Sequence, residues 1–541
     1  MPTKIPFRLF PARKNRYTRA MNLLRAITTV GGLTMLSRVF GFVRDILIAA
    51  ILGAGPFADA LFVAFKFPNM FRRLFAEGAF NLAFVPLYAG LLEEKGQEVA
   101  RVFAERVLSV LLWTLLVFVA LVQLAMPGLM HVLAPGFVGD AVRFDLAVEL
   151  TRITFPYLLF ISLVSMMAGV LNSLGKFATA AATPVILNIC LISAALFLAP
   201  LTETPAHALA WGMAAGGVVQ FVWLLAHCAR AGVALRLPRP QLSPRVKLLL
   251  KRMAPVALGA GIYQVNLLID TIIASLLPAG SISYLFYADR VNQLPLGVVG
   301  VAVGTALLPL LSRQLRGGDA AGAFNSQNRA LEFAFLLTLP AAAALMVIAE
   351  PVIDVLFRRG AFGLEEARLT GQALAVYAIG LPSYVLVKAL APGFFAREDT
   401  ATPVKIAAVA MLANLVLNLI LMGPFLHVGI AMATAASSWL NAGLMAWVLH
   451  RRGHLQLDAR LKRRLPRTLL ASAGMAAVLW LLLGPLAGLL AGDITLRVIG
   501  LAALIGAGLA AFAVLALISG AAAPSDLKAL KRPQPTINEP S

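Results

Sequence analysis

Ionisable side chains interrupt apolar stretches that are otherwise long enough to cross a membrane. They are Arg38, Arg44, Asp45, Asp59, Arg72, Arg73 and Glu77 in the first half, and Asp270, Asp289 and Arg290 in the second. A charge near the centre of a membrane helix costs roughly 2.5–3.5 kcal/mol, so these side chains must face protein or water. The arginines outnumber the nearest acids. Because Arg is always charged and pairs bidentately with phosphate or carboxylate, this surplus predicts an anionic cargo such as a diphosphate.

Salt bridging is the alternative interpretation of these charges. Arg38 and Asp45 are seven residues apart and share a helix face, and Arg73 and Glu77 form an i,i+4 pair. Such pairs account for part of the set but leave the surplus of Arg unexplained. Arg38 and Arg44 are about 120° apart on a straight helix, and Gly41 between them would permit a break that turns both inward. Close helix packing is the alternative role for this glycine.

A second polar set lies in the second half of the chain. Asn414 and Asn418 are four residues apart on one helix face, while Asp270 and Thr434 lie in other apolar stretches. One carboxylate together with amide and hydroxyl oxygens suits Na⁺, a hard cation. Hydrogen bonding between helices is the alternative.

Residues for catalysis are not evident in the sequence. It has two cysteines, Cys190 and Cys228, without CxxC spacing, and six scattered histidines. It also lacks a Walker loop, an HExxH helix, a nucleophile elbow and a Gly-rich dinucleotide turn. We therefore predict a protein that is not an enzyme, uses no ATP and holds no cofactor besides the Na⁺ considered above.

The composition indicates which class of protein contains these residues. Of 541 residues, 60% are hydrophobic and 13% are charged, which excludes an ordinary soluble enzyme and predicts a polytopic membrane protein. The net charge of +21 does not indicate nucleic-acid binding, because Lys and Arg crowd into the links between apolar stretches. Unbroken apolar runs favour helices over barrel strands.

Fourteen apolar stretches reach the roughly 20 residues that a helix needs to cross a bilayer. They are residues 28–53, 57–90, 107–135, 152–174, 178–200, 206–229, 254–278, 283–313, 328–350, 369–395, 402–424, 428–450, 465–490 and 495–520. The basic links alternate with links in which acids dilute the positive charge. By the positive-inside rule both termini are cytoplasmic.

An internal repeat divides the spans. Residues 45–55 align with 270–280, and Phe155-Pro156 and Thr183-Pro184 align with Leu381-Pro382 and Thr402-Pro403 at nearly the same offset. We therefore predict two pseudo-symmetric six-helix lobes in parallel orientation, with a cavity between them. The predicted organisation is a basic extension (1–20), an N-lobe (21–229), a basic linker (230–253), a C-lobe (254–450), two further helices (451–520) and a disordered cytoplasmic tail (521–541).

Several motifs resemble the MurJ (MviN) family, the bacterial lipid II flippases of the multidrug/oligosaccharidyl-lipid/polysaccharide exporter superfamily. They are SRVFGFVRD at 37–45, FKFPN at 65–69, RRLFAEGAF at 72–80, AFVP at 83–86, YADR at 287–290 and KALAPGF at 388–394. The resemblance runs from about Met21 through the last span, and RRLFAEGAF is its most specific part.

The resemblance implies a V-shaped two-lobe fold with alternating access. It implies cavity arginines at Arg38, Arg44, Arg72 and Arg290, acidic partners at Asp59 and Glu77, and Lys388 on span 10. It places a sodium site on Asp270, Asn414, Asn418 and Thr434 with the backbone of Ile430. Two positions depart from the family: Gln293 stands where some members have an acid, and Asn418 stands where some have Asp.

The predicted function is translocation of undecaprenyl-diphosphate-linked peptidoglycan precursor (lipid II) from the inner to the outer leaflet of the bacterial inner membrane. The predicted partners are lipid II, membrane lipids and other cell-wall synthesis proteins. Spans 13 and 14 would supply a groove for the lipid tail. The alternatives are an exporter of another lipid-linked oligosaccharide or of drugs, a membrane-bound glycosyl- or phosphotransferase, and a scaffold acting through residues 230–252. Surplus carboxylates in the cavity would favour drugs, and a metal-binding DxD or His cluster would favour an enzyme.

Overall fold

The computed structural model describes residues 14–73 and 80–523. The predicted extension and tail therefore fall partly, and Glu77 wholly, outside the described residues. Within them the regular structure is helical, as the unbroken apolar runs predicted. The helices are α1 (Lys14–Leu52), α2 (Pro56–Phe71), α3 (Asn81–Leu133), α4 (Ala141–Thr154), α5 (Tyr157–Ser173), α6 (Phe177–Ala181), α7 (Thr183–Ser193), α8 (Pro205–Arg230), α9 (Pro244–Ser275), α10 (Ser281–Arg316), α11 (Ala320–Phe357), α12 (Leu364–Phe395), α13 (Ala401–Arg451), α14 (Ala459–Leu490) and α15 (Ile494–Ser519).

Nine helical segments of the described chain are long and apolar enough to cross a membrane. The prediction of an all-helical polytopic membrane protein is therefore confirmed. Two long helices contain a residue with positive φ, Gly96 in α3 at 81° and Leu426 in α13 at 50°. Each of these residues divides its helix into two rods, because an α-helix cannot continue through that conformation. By contrast, α1 continues through Gly41, so the break that this glycine would permit is not formed.

The chain forms two compact units. Of the described residues, unit 1 comprises 14–47, 64–73, 80–127 and 148–261, and unit 2 comprises 48–63, 128–147 and 262–523. In unit 1, Gly217 of α8 packs against the ring of Tyr157 of α5, where a Cβ would come within 2.8 Å of the ring. This close approach requires a glycine.

The core of unit 2 lies between α10, α11, α12 and α13. It includes Leu311, Ala334, Ala389, Phe394 and Leu449, all nearly inaccessible to solvent. Helix α15 is joined to α11 by an ion pair between Arg497 Nη1 and Asp354 Oδ2, 3.0 Å apart. The two predicted C-terminal spans, α14 and α15, therefore pack within unit 2.

Candidate functional site

Asp59 is the most enclosed charge among the predicted site residues that the structure describes. It lies in the first turn of α2 with 0% of its surface exposed. Its carboxylate accepts hydrogen bonds from Arg143 Nη2 (2.9 Å), Gly280 N (2.7 Å), and the backbone N and hydroxyl of Ser283 (2.9 and 2.6 Å). The two backbone donors belong to the N-terminus of α10, where amides lack helical partners and the helix dipole favours an anion. Asp59 therefore joins α2 to α4 and α10.

Arg44 is the best-connected of the predicted cavity arginines in unit 1. Its Nε and Nη2 donate to Asp45 Oδ1 at 3.0 and 2.7 Å, and Nη1 donates to Asn188 Oδ1 of α7 at 2.9 Å. Asn188 in turn donates to the backbone oxygen of Ser37 at 3.0 Å. Asp45 is thus paired with the adjacent arginine, and part of the guanidinium is committed within the protein.

Arg38 differs from Arg44 although it lies on the same continuous helix. Its side chain is exposed and makes no hydrogen bond or ion pair to the side chains that the structure describes. Between them, Gly41 faces Asn188, with a Cβ position 3.5 Å from Asn188 Nδ2. A side chain at this position would meet Asn188 at ordinary van der Waals distance, and the helix runs through Gly41 without a break.

Arg72 follows the end of α2. Its Nε donates to Asn69 Oδ1 at 3.0 Å, and Asn69 donates to the carbonyl of Phe65 at 2.8 Å. The neighbouring Phe71 packs edge-on against Phe155, with ring centroids 6.1 Å apart. These contacts fix the backbone from which the half-buried Arg72 projects.

Arg290 and Lys388 belong to unit 2. The Arg290 guanidinium carbon lies 4.7 Å from the centre of the Phe286 ring, a cation–π contact one turn away on α10. Lys388 of α12 is exposed, and its side chain lies over Gly300 of α10, where a Cβ would come within 2.9 Å of Nζ. Gln293, which stands where some family members have an acid, donates its amide to Asp289.

Three of the predicted cation ligands, Asp270, Asn414 and Asn418, come together in unit 2. Asn418 Nδ2 donates to Asp270 Oδ1 at 2.8 Å and to Asn414 Oδ1 at 3.1 Å, and Asn414 Nδ2 lies 3.4 Å from Ser437 Oγ. Asn414 and Asn418 are 1% and 0% exposed. Thr434 donates to the backbone oxygen of Ile430 at 2.9 Å. The structure therefore brings Asp270 of α9 against Asn414 and Asn418 of the first rod of α13, whereas the recorded bond of Thr434 stays within its own rod.

The side-chain oxygen of Asn418 indicates whether this cluster suits a cation. Asn418 Oδ1 is buried and has no hydrogen-bond partner among the described residues. A buried carbonyl oxygen without a donor is costly unless another group satisfies it. This oxygen belongs to the amide whose Nδ2 contacts the Asp270 carboxylate, and a hard cation with oxygen ligands would satisfy it.

Four contributors were missed from the sequence: Arg143, Asn188, Ser283 and Ser437. Asn188 was detectable as a lone amide within an apolar span. Arg143 lies in a link between two predicted spans, where an arginine is unremarkable, although it is 5% exposed and also lies over the Phe137 ring at 3.9 Å. Ser283 carries no signal in the sequence, because a serine in the first turn of a helix is common.

The predicted basic residues divide between the units, with Arg38, Arg44 and Arg72 in unit 1 and Arg290 and Lys388 in unit 2.

Comparisons with known proteins agree on one family. The family model described as lipid II flippase MurJ matches residues 48–498. The chain is 46% identical over 519 residues to the probable lipid II flippase MurJ of Rhizobium meliloti (strain 1021), covering 95% of this chain and 97% of that protein. It is 39% identical over 440 residues to the lipid II flippase MurJ of Burkholderia cenocepacia, covering 81% and 85%.

Solved structures show the same relationship in three dimensions. The structure described as lipid II flippase MurJ in an inward closed conformation superimposes with a TM-score of 0.77 at 25% identity, covering 93% of this chain and 99% of that one. An inward-facing multidrug resistance transporter of the MATE family gives a TM-score of 0.65 at 13% identity, covering 81% and 99%. The second likeness shows the shared fold alone.

Proposed function

The chain belongs to the MurJ family of lipid II flippases, and from this premise we propose that it carries lipid II from the inner to the outer leaflet by alternating access. It is a multi-pass protein of the bacterial inner membrane and a transporter rather than an enzyme. The relatives are named as flippases, and flipping makes and breaks no covalent bond. Export of drugs or of another lipid-linked sugar is not favoured.

The proposed topology has fourteen spans with both termini in the cytoplasm. Its support is the division of α3 at Gly96 and of α13 at Leu426, because these breaks fall between predicted spans 2 and 3 and between predicted spans 11 and 12. The pairing of basic links with acid-diluted links supports the orientation. A cysteine at Gln241 should then react only from the cytoplasm, and one at Glu365 only from outside.

The diphosphate of lipid II is the proposed ligand of Arg38, Arg44, Arg72 and Arg290, with Lys388 as a further cation. The observation that carries this proposal is Arg38, an exposed guanidinium on an apolar helix without a described partner. Charge-assisted hydrogen bonds of about 1.5–3 kcal/mol each would offset the cost of bringing a diphosphate into the membrane. Arg44 keeps donor capacity after its bonds to Asp45 and Asn188, because a guanidinium has five N–H groups.

Asp59 has a different proposed role. Its carboxylate is saturated by four donors and fully buried, so we assign it to holding α2, α4 and α10 together in one conformation rather than to substrate contact. Alternating access requires some contacts that exist in only one state. The hydrogen bonds between Asp59 and the α10 N-terminus could form together in one state and break together in the other, because they all depend on one carboxylate.

Na⁺ is the proposed coupling ion. When bound, it would supply positive charge to the cluster of Asp270, Asn414, Asn418 and Thr434, with the carbonyl oxygen of Ile430 nearby. The chain's contribution is a set of oxygens from α9 and from both rods of α13. A cation that ties these rods together biases the protein toward whichever state brings the oxygens closest.

The lipid tail is proposed to lie along α14 and α15. These helices present large exposed apolar side chains, including Leu470, Trp480, Leu481, Leu509 and Ile518. A polyprenyl chain cannot be enclosed with its headgroup and needs such a surface. Deleting residues 465–541 should impair transport more than folding, and full activity after truncation would contradict this role.

The decisive test of the function is a leaflet assay. Cells depleted of this protein should accumulate lipid II that is inaccessible from outside, and wild-type protein should restore access within minutes. The Arg38→Ala variant, at equal abundance, should not restore it. If the Arg38→Ala variant restores access, Arg38 does not make the proposed contact with the headgroup.

A further inference from the structure

Unit 1 contains a side-chain cluster that the transport mechanism does not use. Glu149 lies on α4, Glu203 in the turn before α8, and His207 in the first turn of α8. One ligand atom from each lies within 4.8 Å of the others. His207 Nε2 and Glu149 Oε2 are 3.4 Å apart. Two ligands about 2.0–2.1 Å from one tetrahedral Zn²⁺ would be separated by about this distance.

His207 indicates, independently of the spacing of the three side chains, that the cluster binds a ligand. Its side chain is 9% exposed, and Nε2 is buried without a hydrogen-bond partner among the described residues. On the other side of the ring, Nδ1 lies 2.8 Å from the Thr204 hydroxyl oxygen. When Nδ1–H donates to Thr204, Nε2 presents a lone pair toward the two carboxylates. Metal-binding histidines are commonly oriented in this way by a second hydrogen bond.

The surroundings allow an ion to enter and to complete its coordination with water. The cluster lines a cavity of about 640 Å³, whose wall also includes Thr202, Trp211 and Arg152. Glu149 is 58% exposed, so its carboxylate can move toward an ion. Arg152 and the positive end of α8 oppose a cation, but two carboxylates outweigh one guanidinium and a partial charge.

We propose that Glu149, Glu203 and His207 form a binding site for a divalent transition metal of the Zn²⁺ class. One imidazole and two carboxylates with an open position for water are a ligand set that Zn²⁺ accepts. The ion would join α4 to the start of α8 within unit 1. The site is separate from the proposed sodium cluster, which contains neither histidine nor a second carboxylate.

Zinc binding to the full-length protein tests this proposal. The protein is purified without a polyhistidine tag, stripped with a chelator and titrated with Zn²⁺ by equilibrium dialysis, with Mg²⁺ as background. We expect one Zn²⁺ per chain and a loss of at least tenfold in affinity in His207→Ala. Thr204→Val should weaken binding about 10–100-fold while Thr204→Ser retains it. Arg152→Gln should strengthen it.

The controls separate a metal site from a simple His–Glu ion pair. His227→Ala alters a histidine at the other end of α8, whose Nδ1 lies 2.8 Å from the Trp223 carbonyl, and should leave zinc binding unchanged. If His207→Ala does not fold, the Glu149→Gln/Glu203→Gln double variant and the visible spectrum of bound Co²⁺ serve in its place. Wild-type protein without stoichiometric zinc, or equal affinity in wild type and these variants, would overturn the proposal.

Discussion

The carboxylate of Asp59 lies 2.9 Å from Nη2 of Arg143, and the two residues are 0% and 5% exposed. A buried ion pair is stable only when its remaining lone pairs are also satisfied. Gly280 and Ser283 meet this need, because their three donors occupy the other positions around the carboxylate. Asp59 therefore joins the first turn of α2 to the N-terminus of α10 and to Arg143 of α4. All of these contacts depend on its single negative charge.

Asp59→Asn should abolish transport while the protein stays inserted. The amide cannot accept all four hydrogen bonds and leaves Arg143 buried without its counter-charge, which costs about 3–5 kcal/mol in comparable pairs. The measurement is growth complementation together with a spin-label distance between α2 and α10, which should broaden. Asp145→Asn is the matched control, since that carboxylate is exposed on the same helix as Arg143. An unchanged distance in Asp59→Asn would contradict the proposed holding role.

Asn418→Asp should strengthen sodium binding. It places a second carboxylate beside Asp270, so the empty site is destabilised by repulsion and the occupied site gains attraction. We expect the Na⁺ concentration for half-maximal thermal stabilisation to fall about tenfold. Asp270→Asn should remove the stabilisation, and choline chloride controls for ionic strength.

Asn172→Asp on α5 provides a matched amide-to-acid change outside the cluster and should not alter the sodium response. If wild-type protein shows no stabilisation by Na⁺ beyond that by choline, the cluster is a set of hydrogen bonds between helices. The membrane potential or the substrate gradient would then be the favoured energy source.

Asp399, in the link between α12 and α13, should make stability depend on pH. The hydroxyl and backbone N–H of Thr402 and the guanidinium of Arg452 hold the pKa of Asp399 well below its usual range. Because the folded pKa lies below the unfolded value of about 3.9, its stabilisation is present above that value. It is lost as pH falls further toward the folded pKa.

Asp399→Asn should therefore lower the melting temperature at pH 7 by a modest amount, as expected for a partly exposed pair. The difference from wild type should shrink below about pH 4. Glu398→Gln, at the adjacent position, is the control. A difference that stays constant between pH 7 and pH 3 would show that the charge of Asp399 does not stabilise the fold.

The sequence predicted the helical class and the shared face of Asn414 and Asn418, because each depends on residue type and local period, and sodium binding there stays a prediction. Asn414 and Asn418 share a face on any helix, so only their meeting with Asp270 required the fold. The partners of Asp59 could not be predicted, since Arg143 and Ser283 lie far along the chain and carry no local pattern. The break considered at Gly41 is absent because a glycine permits a break without imposing one, and α1 stays helical through it.

Arg38 and Arg44 should respond differently to removal, which separates substrate binding from structural pairing. Arg44→Ala should lower both transport and the melting temperature, because Asp45, 2% exposed, loses the ion pair at 2.7 Å and Asn188 loses a donor. Adding Asp45→Asn should recover stability but not transport. Arg44→Lys should recover only part of either, since an ammonium cannot contact Asp45 with two nitrogens while reaching Asn188.

Arg38→Ala should abolish transport without changing the melting temperature, because the exposed guanidinium has no described protein partner to lose. Arg38→Lys should restore transport in part, since it returns the charge without the bidentate fork that suits a diphosphate. Lipid II transport in proteoliposomes and thermal unfolding of the same preparations measure the two effects, with the exposed Arg230→Ala of α8 as the control. If Arg38→Ala instead destabilises the protein as Arg44→Ala does, its charge serves the fold. Full transport in both single alanine variants would refute an anionic cargo at α1.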